Sequence, residues 1–258
     1  LYDIDLGNNF SYYSRTDKKN FFDLNSIEKF NFKSLKKNDI ILLLSAISKP
    51  SLCEVDKNSY KINYTYTKKF ISNVLERESK IIFASSDTVY GNSKKINSEE
   101  STLNPCSKYA EHKTKIEQFF FNEPRFSVLR FSQCINSFDS FSLYIKKQIN
   151  SSKSISLNKG LKRNIFDTSL LFQLLISLKN KNINFKTLNV GGDNCIDRSD
   201  FYDIINEKYS NIKLDNFIEN NIDKISEIYI DNSKIKEILN LESIAFNFKN
   251  YINKIIGL

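Results

Sequence analysis

The stretch Lys80–Lys113, KIIFASSDTVYGNSKKINSEESTLNPCSKYAEHK, decides how the chain is read. It opens on KIIFASS, a run apolar on both faces that ends in small side chains, and such a short unbroken run is what a central parallel strand looks like. It closes on a segment of helical spacing, predicted from about Ser107 to Phe121, that carries Tyr109 and Lys113 four residues apart on one face. The spacing YxxxK says nothing by itself, because Tyr64 and Lys68, Tyr90 and Lys94, and Tyr209 and Lys213 share it. What sets Tyr109 apart is its place on the helix that follows a strand ending in Ser85 and Ser86, where the backbone of a parallel sheet reaches its ligand edge.

Working outward, DIILLLSAI (Asp39 to Ile47) reads as a second buried strand, with a helical segment between about Asp56 and Glu78. FSVLRF (Phe126 to Phe131) follows the Tyr109 helix as another strand, after a polar loop that runs from the end of KIIFASS through Pro105. Short apolar strands alternating with amphipathic helices predict an α/β fold, a doubly wound parallel sheet of Rossmann type, with a smaller α+β lobe. We expect a dinucleotide-binding domain over 1–135 with a returning helix at about 165–180, and a lobe over 136–258 that mainly binds substrate. That second half reads as a loop-rich patch (Asn136 to Arg163), an apolar helix (Ser169 to Leu178) and a strand with a glycine turn (Lys186 to Gly192). Helices are expected near Asp200 to Lys208, Ser233 to Leu239 and Ala245 to Ile256.

The 258 residues are 40% hydrophobic and 26% charged, as in an ordinary folded chain. The net charge of +8 is scattered among Asn, Ile and Ser instead of forming a basic run, which argues for a small anion such as a nucleotide or diphosphate and against nucleic acid. Cys53, Cys106, Cys134 and Cys195 lie far apart with His112 as the sole histidine. That argues against zinc or any other metal, against a disulfide scaffold, and for a reducing cytosol. No apolar run is long enough for a membrane span, so a soluble, cytoplasmic protein is expected.

A phenol with a pKa near 10 is a poor acid-base group at neutral pH, and a fixed cation such as Lys113 is expected to lower it. Ser86 would bind the same oxygen as Tyr109, giving a proton donor and an orienting hydrogen bond for a carbonyl or alkoxide, which is what hydride transfer needs from a protein.

SSDTVYG followed by PCSKYAEHK resembles the extended short-chain dehydrogenase/reductases, the NAD-dependent epimerase/dehydratase family of sugar-nucleotide enzymes. The Ser86–Asp87 pair is most similar to the dTDP-4-dehydrorhamnose reductases, whereas Val89 to Gly91 is shared more widely. The resemblance implies Ser86, Tyr109 and Lys113 as catalytic residues, with Ser86 and Lys113 also binding substrate and cofactor respectively. It implies cofactor contacts from Ser45 and Ala46 after the strand of LLLSAIS, from Asn63, and from Asp23 in FFDL to the adenine. Arg15 stands where an NADP-dependent relative holds the 2′-phosphate, and Arg163 in LKRNIFDTSLL where the family grips the substrate diphosphate. Gln133 stands where many relatives have a substrate-contacting Asn. Later landmarks are LNVGG (Leu188 to Gly192) and DNSKIKEILN (Asp231 to Asn240), so the likeness runs over nearly the whole chain.

The sequence departs from the family in lacking its glycine-rich GxxGxxG turn, for which Gly7 is no substitute. With no methionine anywhere, we expect the first strand, that turn and most of the first helix to precede the sequence, and FSYYSR (Phe10 to Arg15) to be the second strand. Asp87 reads as a turn residue and His112 as an exposed helix residue.

The function the resemblance implies is reduction of a nucleotide-activated 4-keto sugar with NADP or NAD, in deoxysugar synthesis for surface polysaccharide. The expected partners are the nucleotide sugar and a second copy of the chain in a homodimer, with no nucleic acid and no membrane. A 4-epimerase or a dehydratase of the same fold is the alternative within the class, dehydration being disfavoured because Asp87 is followed by Thr88 where a dehydratase has a second carboxylate. A nucleotide-binding regulator that has lost turnover is the alternative outside it.

Overall fold

A computed structural model describes residues 10–151, 153–159, 162–180, 184–197, 200, 201, 203, 205, 214–219 and 227–256. Along the chain, strand β1 (Ile40–Leu43) is followed by helices α1 (Pro50–Val55) and α2 (Lys57–Tyr60), a π-helical turn (Lys61–Tyr66) and α3 (Thr67–Leu75). Strand β2 (Lys80–Ser86), a 3-10 turn (Asp87–Tyr90), β3 (Ser93–Asn97), helix α4 (Lys108–Phe119), β4 (Phe126–Phe131) and β5 (Gln133–Ile135) come next. The second half holds α5 (Ser140–Asn150), β6 (Ile155–Lys159), β7 (Lys162–Asp167), α6 (Ser169–Asn180), β8 (Thr187–Val190) and β9 (Cys195–Ile196). It ends with β10 (Leu214–Glu219), β11 (Glu227–Ile230), α7 (Ser233–Leu239) and α8 (Phe248–Ile256).

The four strands β1, β2, β4 and β8 form a wholly parallel sheet in the order β1-β2-β4-β8. Because every strand runs the same way, the C-terminal ends of β1, β2 and β4 open on one edge, and the segments expected to carry the site lie there. Helix α3 packs one face with Phe70, Ile71, Val74 and Leu75, all buried with Phe83, Phe126 and Ile116 in one core. On the other face Leu171, Leu174 and Leu178 of α6 meet Ile82, Leu129 and Leu188, joined by Ile235 of α7. Burying side chains of this size is worth about 1.5–3 kcal/mol each, which is why the apolar runs of β2 and β4 occupy the middle of the sheet.

A second sheet, β3-β11-β7-β5, stands beside the first, with β9 antiparallel on β7. The chain crosses from one to the other at Ser132, between β4 and β5, and returns through α6 and β8. The doubly wound parallel arrangement is as expected from the sequence, but several local readings need correction. The patch 136–163 is not mainly loop: Asp139 caps α5 by accepting from the Phe141 and Ser142 amides, and β6 follows. The polar segment from the end of β2 to Pro105 contains β3. FSYYSR forms no extended strand among the described residues and meets FFDL only in one parallel bridge, Ser14 with Phe21. The helix expected near 200–208 lies for the most part outside the described residues, as does Gly7.

Candidate active site

Strand β2 ends in two adjacent serines, and alternation along a strand sends them to opposite faces. Ser85 donates to the Glu117 carboxylate of α4. Ser86 is buried; its Oγ donates to Asp87 Oδ1 at 3.2 Å and accepts from the Thr88 amide at 3.3 Å, capping the turn Asp87–Tyr90. Gly91 ends that turn at φ 69°, where a Cβ would run into the Asn104 carbonyl. The close fit sends Tyr90 inward, where its hydroxyl donates to Asn189 Oδ1 at 2.7 Å and accepts from Arg130 at 2.8 Å. Tyr90, one of the competing YxxxK tyrosines, is thereby committed to the interior.

Helix α4 starts at Ser107, whose hydroxyl accepts from the Ala110 amide at 3.2 Å. This cap sets the helix phase, so Tyr109, Lys113 and Glu117 line one face toward β2. Lys113 is 3% exposed, with its Nζ donating to the Ala84 carbonyl at 2.6 Å. The same Nζ lies 4.5 Å from the Phe83 ring centroid and 5.7 Å from that of Tyr109. Burial pulls the Lys113 ammonium down to about 8, a drop that the Glu117 charge opposes. Tyr109 is half-buried and its pKa is raised, by burial first and by the neighbouring Cys53 and Cys134 thiols second. The expected lowering by Lys113 is therefore not found: the ammonium lies toward the ring and donates its hydrogen bond to the Ala84 carbonyl, so desolvation of the phenolate wins.

Asp87 is not merely a turn residue. It is wholly buried and receives both Nε and Nη2 of Arg163 from β7, the Nε at 2.6 Å, together with the Ser132 hydroxyl at 2.6 Å. Arg163, expected on a substrate diphosphate, thus pairs with a protein carboxylate and joins the second sheet to the end of β2. Removing one partner strands the other in a low-dielectric site, so Arg163→Met is expected to lower stability by about 3–5 kcal/mol. Arg163→Met with Asp87→Asn should recover most of that loss, as read by urea denaturation; additive losses would show that the pair is not coupled.

The remaining expected residues fall at differing distances from this centre. Ser45 and Ala46 are half-buried just beyond β1 on the ligand edge. Asn63 is buried in the π-helical turn and spends its amide on the loop after β1, donating to the Ile47 carbonyl at 2.9 Å and accepting from its amide at 2.8 Å. Asp23 caps the 3-10 turn Leu24–Lys29 by accepting from the Asn25 amide at 2.9 Å. Arg15 is exposed beside the Ser14 bridge, and Gln133 is half-buried at the start of β5. His112 is buried, not exposed: its ring meets Tyr60 edge-on at 5.3 Å, and burial lowers its pKa. All four cysteines are free thiols. Sequence reading missed Glu117 and Arg130, a buried pair at 2.7 Å beside Ser85. The available signal was Glu117 standing four residues beyond Lys113, in the same phase as Tyr109.

Two features bear on whether a nicotinamide nucleotide fits. An ammonium has three donors, and among the described residues the Lys113 Nζ hydrogen-bonds only to Ala84. The Tyr109 hydroxyl has no hydrogen-bond partner among them either. A buried ammonium with donors to spare beside an open phenol fits ribose and sugar hydroxyls. The glycine-rich pyrophosphate turn is not in the sequence, so the fit concerns only the nicotinamide end of such a site.

Residues 5–123 match the model of the NAD dependent epimerase/dehydratase family. No curated protein sequence matches the chain. Among solved structures, a UDP-glucuronic acid 4-epimerase from Bacillus cereus, in complex with a UDP-deoxyfluoroglucuronic acid and NAD, aligns with a TM-score of 0.76 at 19% identity, over 90% of this chain and 79% of its own. A UDP-N-acetylglucosamine 4-epimerase from Methanobrevibacter ruminantium M1 aligns at 0.77 and 17% identity, over 90% and 80%. A dTDP-glucose 4,6-dehydratase from Streptomyces venezuelae aligns at 0.74 and 14%, over 91% and 76%. None of these three is a reductase, so the nearer likeness to dTDP-4-dehydrorhamnose reductases finds no support in them. They establish the fold, and the match to the NAD dependent epimerase/dehydratase family model extends over residues 5–123 of this chain.

Proposed function

We propose that the chain reduces a nucleotide-activated 4-keto sugar, with NAD or NADP as the hydride source. The observation that carries this reading is the Tyr109 phenol, its hydroxyl without a hydrogen-bond partner among the described residues and its ring seated 5.7 Å from the Lys113 ammonium. A phenol is protonated near neutral pH, and from that state it can give its proton to a nascent alkoxide, which is what the reductive direction requires. Tyr109 gives that proton, Ser86 turns its hydroxyl to the same oxygen, and Lys113 holds a ribose hydroxyl with its spare donors. The bound nicotinamide would supply the hydride. Ser45, Ala46, Asn63, Asp23 and Arg15 would lie along the cofactor, and Gln133 and Arg163 along the sugar nucleotide, between the sheet edge and the lobe of 136–258. Arg163 would leave or share Asp87 to do so.

Asp87 also speaks against dehydration. A carboxylate that accepts a forked guanidinium pair and two hydroxyls is an acceptor with no proton to give, whereas expelling a sugar hydroxyl needs an acid. A 4-epimerase is the second reading, favoured by the 4-epimerases among the solved structures of the same fold. Deoxysugar synthesis for surface polysaccharide, in the cytoplasm and by a homodimer, is the setting the reductase reading implies.

Incubation with NADH or NADPH and a panel of 4-keto sugar nucleotides separates the readings. Consumption of one reduced cofactor per sugar is expected. Interconversion of C4 epimers without net consumption would replace the reductase with the epimerase. Nucleotide binding without either reaction would leave the non-catalytic regulator.

A further inference from the structure

We propose that Glu117 is a positioning residue for Lys113: paired with Arg130 and tied to Ser85, it fixes α4 against the end of β2 and supplies the negative charge that holds the Lys113 ammonium in place. The inference rests on the catalytic reading of Lys113 given above. Glu117 follows Lys113 by one turn on the face that meets β2, and it is 4% exposed. One carboxylate gathers three groups. Ser85 donates to it from the strand end, and Arg130 Nε and Nη2 donate from β4, at 3.1 and 2.7 Å to Oε2. Arg130 in turn reaches the Glu99 carbonyl at 2.9 Å and the Tyr90 hydroxyl, so the pair also anchors the turn that follows Ser86.

The surroundings of Lys113 contain little else to balance its charge. Strand β2 offers only the Ala84 carbonyl and the Phe83 ring. Its own helix offers Tyr109 and Glu117, α1 offers Cys53 with Glu54 turned to the Lys108 amide, and the turn after β2 offers Asp87, already paired with Arg163. Arg130 lies beyond Glu117 and partly offsets it. A buried ammonium with no carboxylate in contact depends on the negative charge around it, and Glu117, although paired with Arg130, lies one helical turn away on the same face.

The test reads Lys113 directly, in the chain without ligand, by ¹³C NMR titration of its ε-carbon. Glu117→Gln strands Arg130, so the paired variant Glu117→Gln with Arg130→Met is the decisive one, and Glu117→Asp is the conservative rescue. Lys113 in the paired variant is expected to titrate about one pH unit lower than in the wild-type chain, and in Glu117→Asp close to the wild-type value. With turnover measured, kcat should fall about tenfold to a hundredfold with KM for the sugar nucleotide little changed, because a displaced lysine costs orientation more than binding. An unshifted Lys113 titration in the paired variant, or a paired variant too unstable to fold, would reduce Glu117 to a structural ion-pair partner. A wild-type chain without turnover would instead undo the catalytic reading and leave the titration result intact.

Discussion

Tyr109→Phe is expected to lower turnover by about 10²–10⁴-fold, the range that loss of a positioned proton donor commands. The substitution removes one oxygen and keeps the ring beside Lys113. Because the hydroxyl has no hydrogen-bond partner among the described residues, stability should change by no more than about 0.5 kcal/mol. Cofactor and nucleotide affinity should likewise stay within about twofold, since Lys113 and the groups assigned to binding are untouched. The measurement is turnover with reduced cofactor and 4-keto sugar nucleotides, alongside urea denaturation of both chains. Turnover within tenfold of wild type would remove Tyr109 from the role of proton donor. A large loss of stability would show that the hydroxyl serves the fold.

Lys113→Met should do two opposite things. Turnover should collapse, because the variant has no donor for ribose and no cation beside the phenol. Stability at neutral pH should rise. Burial holds the folded-state Lys113 at about 8 against 10.5 for the free side chain, so the folded chain binds this proton less tightly than the unfolded one. Below about pH 8 both states carry the proton, and the buried ammonium lowers stability by its full amount, about 3 kcal/mol. Between about 8 and 10.5 the folded state loses its proton first and stability climbs; above 10.5 the penalty is gone. Methionine never bears it, and losing the bond to Ala84 takes back about 1 kcal/mol. The variant should therefore be more stable by about 2 kcal/mol at pH 7, with the advantage vanishing near pH 10. Urea midpoints at the two pH values check this, and a variant less stable at pH 7 would overturn it. A gain of stability on removing the ammonium would be the mark of a group kept for function at the expense of the fold.

Two buried ion pairs flank the end of β2, Glu117 with Arg130 behind Ser85 and Asp87 with Arg163 beyond Ser86. Both join β2 to other elements, so the strand end is held by charge as well as by packing. This rigidity suits the proposed site, in which a hydroxyl and a phenol meet one oxygen while an ammonium holds a ribose hydroxyl beside them.

Much of this was legible in the sequence. KIIFASS and FSVLRF are strands within the bounds read from them, because a run buried on both faces carries its burial in composition alone. The Tyr109 helix was legible for a similarly local reason: Ser107 caps it, and the cap fixes the phase that puts Tyr109 and Lys113 together. Helix α5 was not, since its stabilising side, with Ile145 and Ser142 turned to Tyr251, faces residues a hundred positions away.

What tertiary structure alone decided is where charge goes. The sequence by itself determined a parallel sheet whose edge carries a serine, and a helix whose one face carries a tyrosine and a lysine. These follow from side-chain periodicity, a short-range property. That Arg163 meets Asp87, that Glu117 meets Arg130, and that Lys113 ends on the Ala84 carbonyl with its pKa pulled down are consequences of distance and desolvation between segments far apart in the chain. No local pattern encodes a dielectric environment, because it is made by whichever groups the fold packs around the charge.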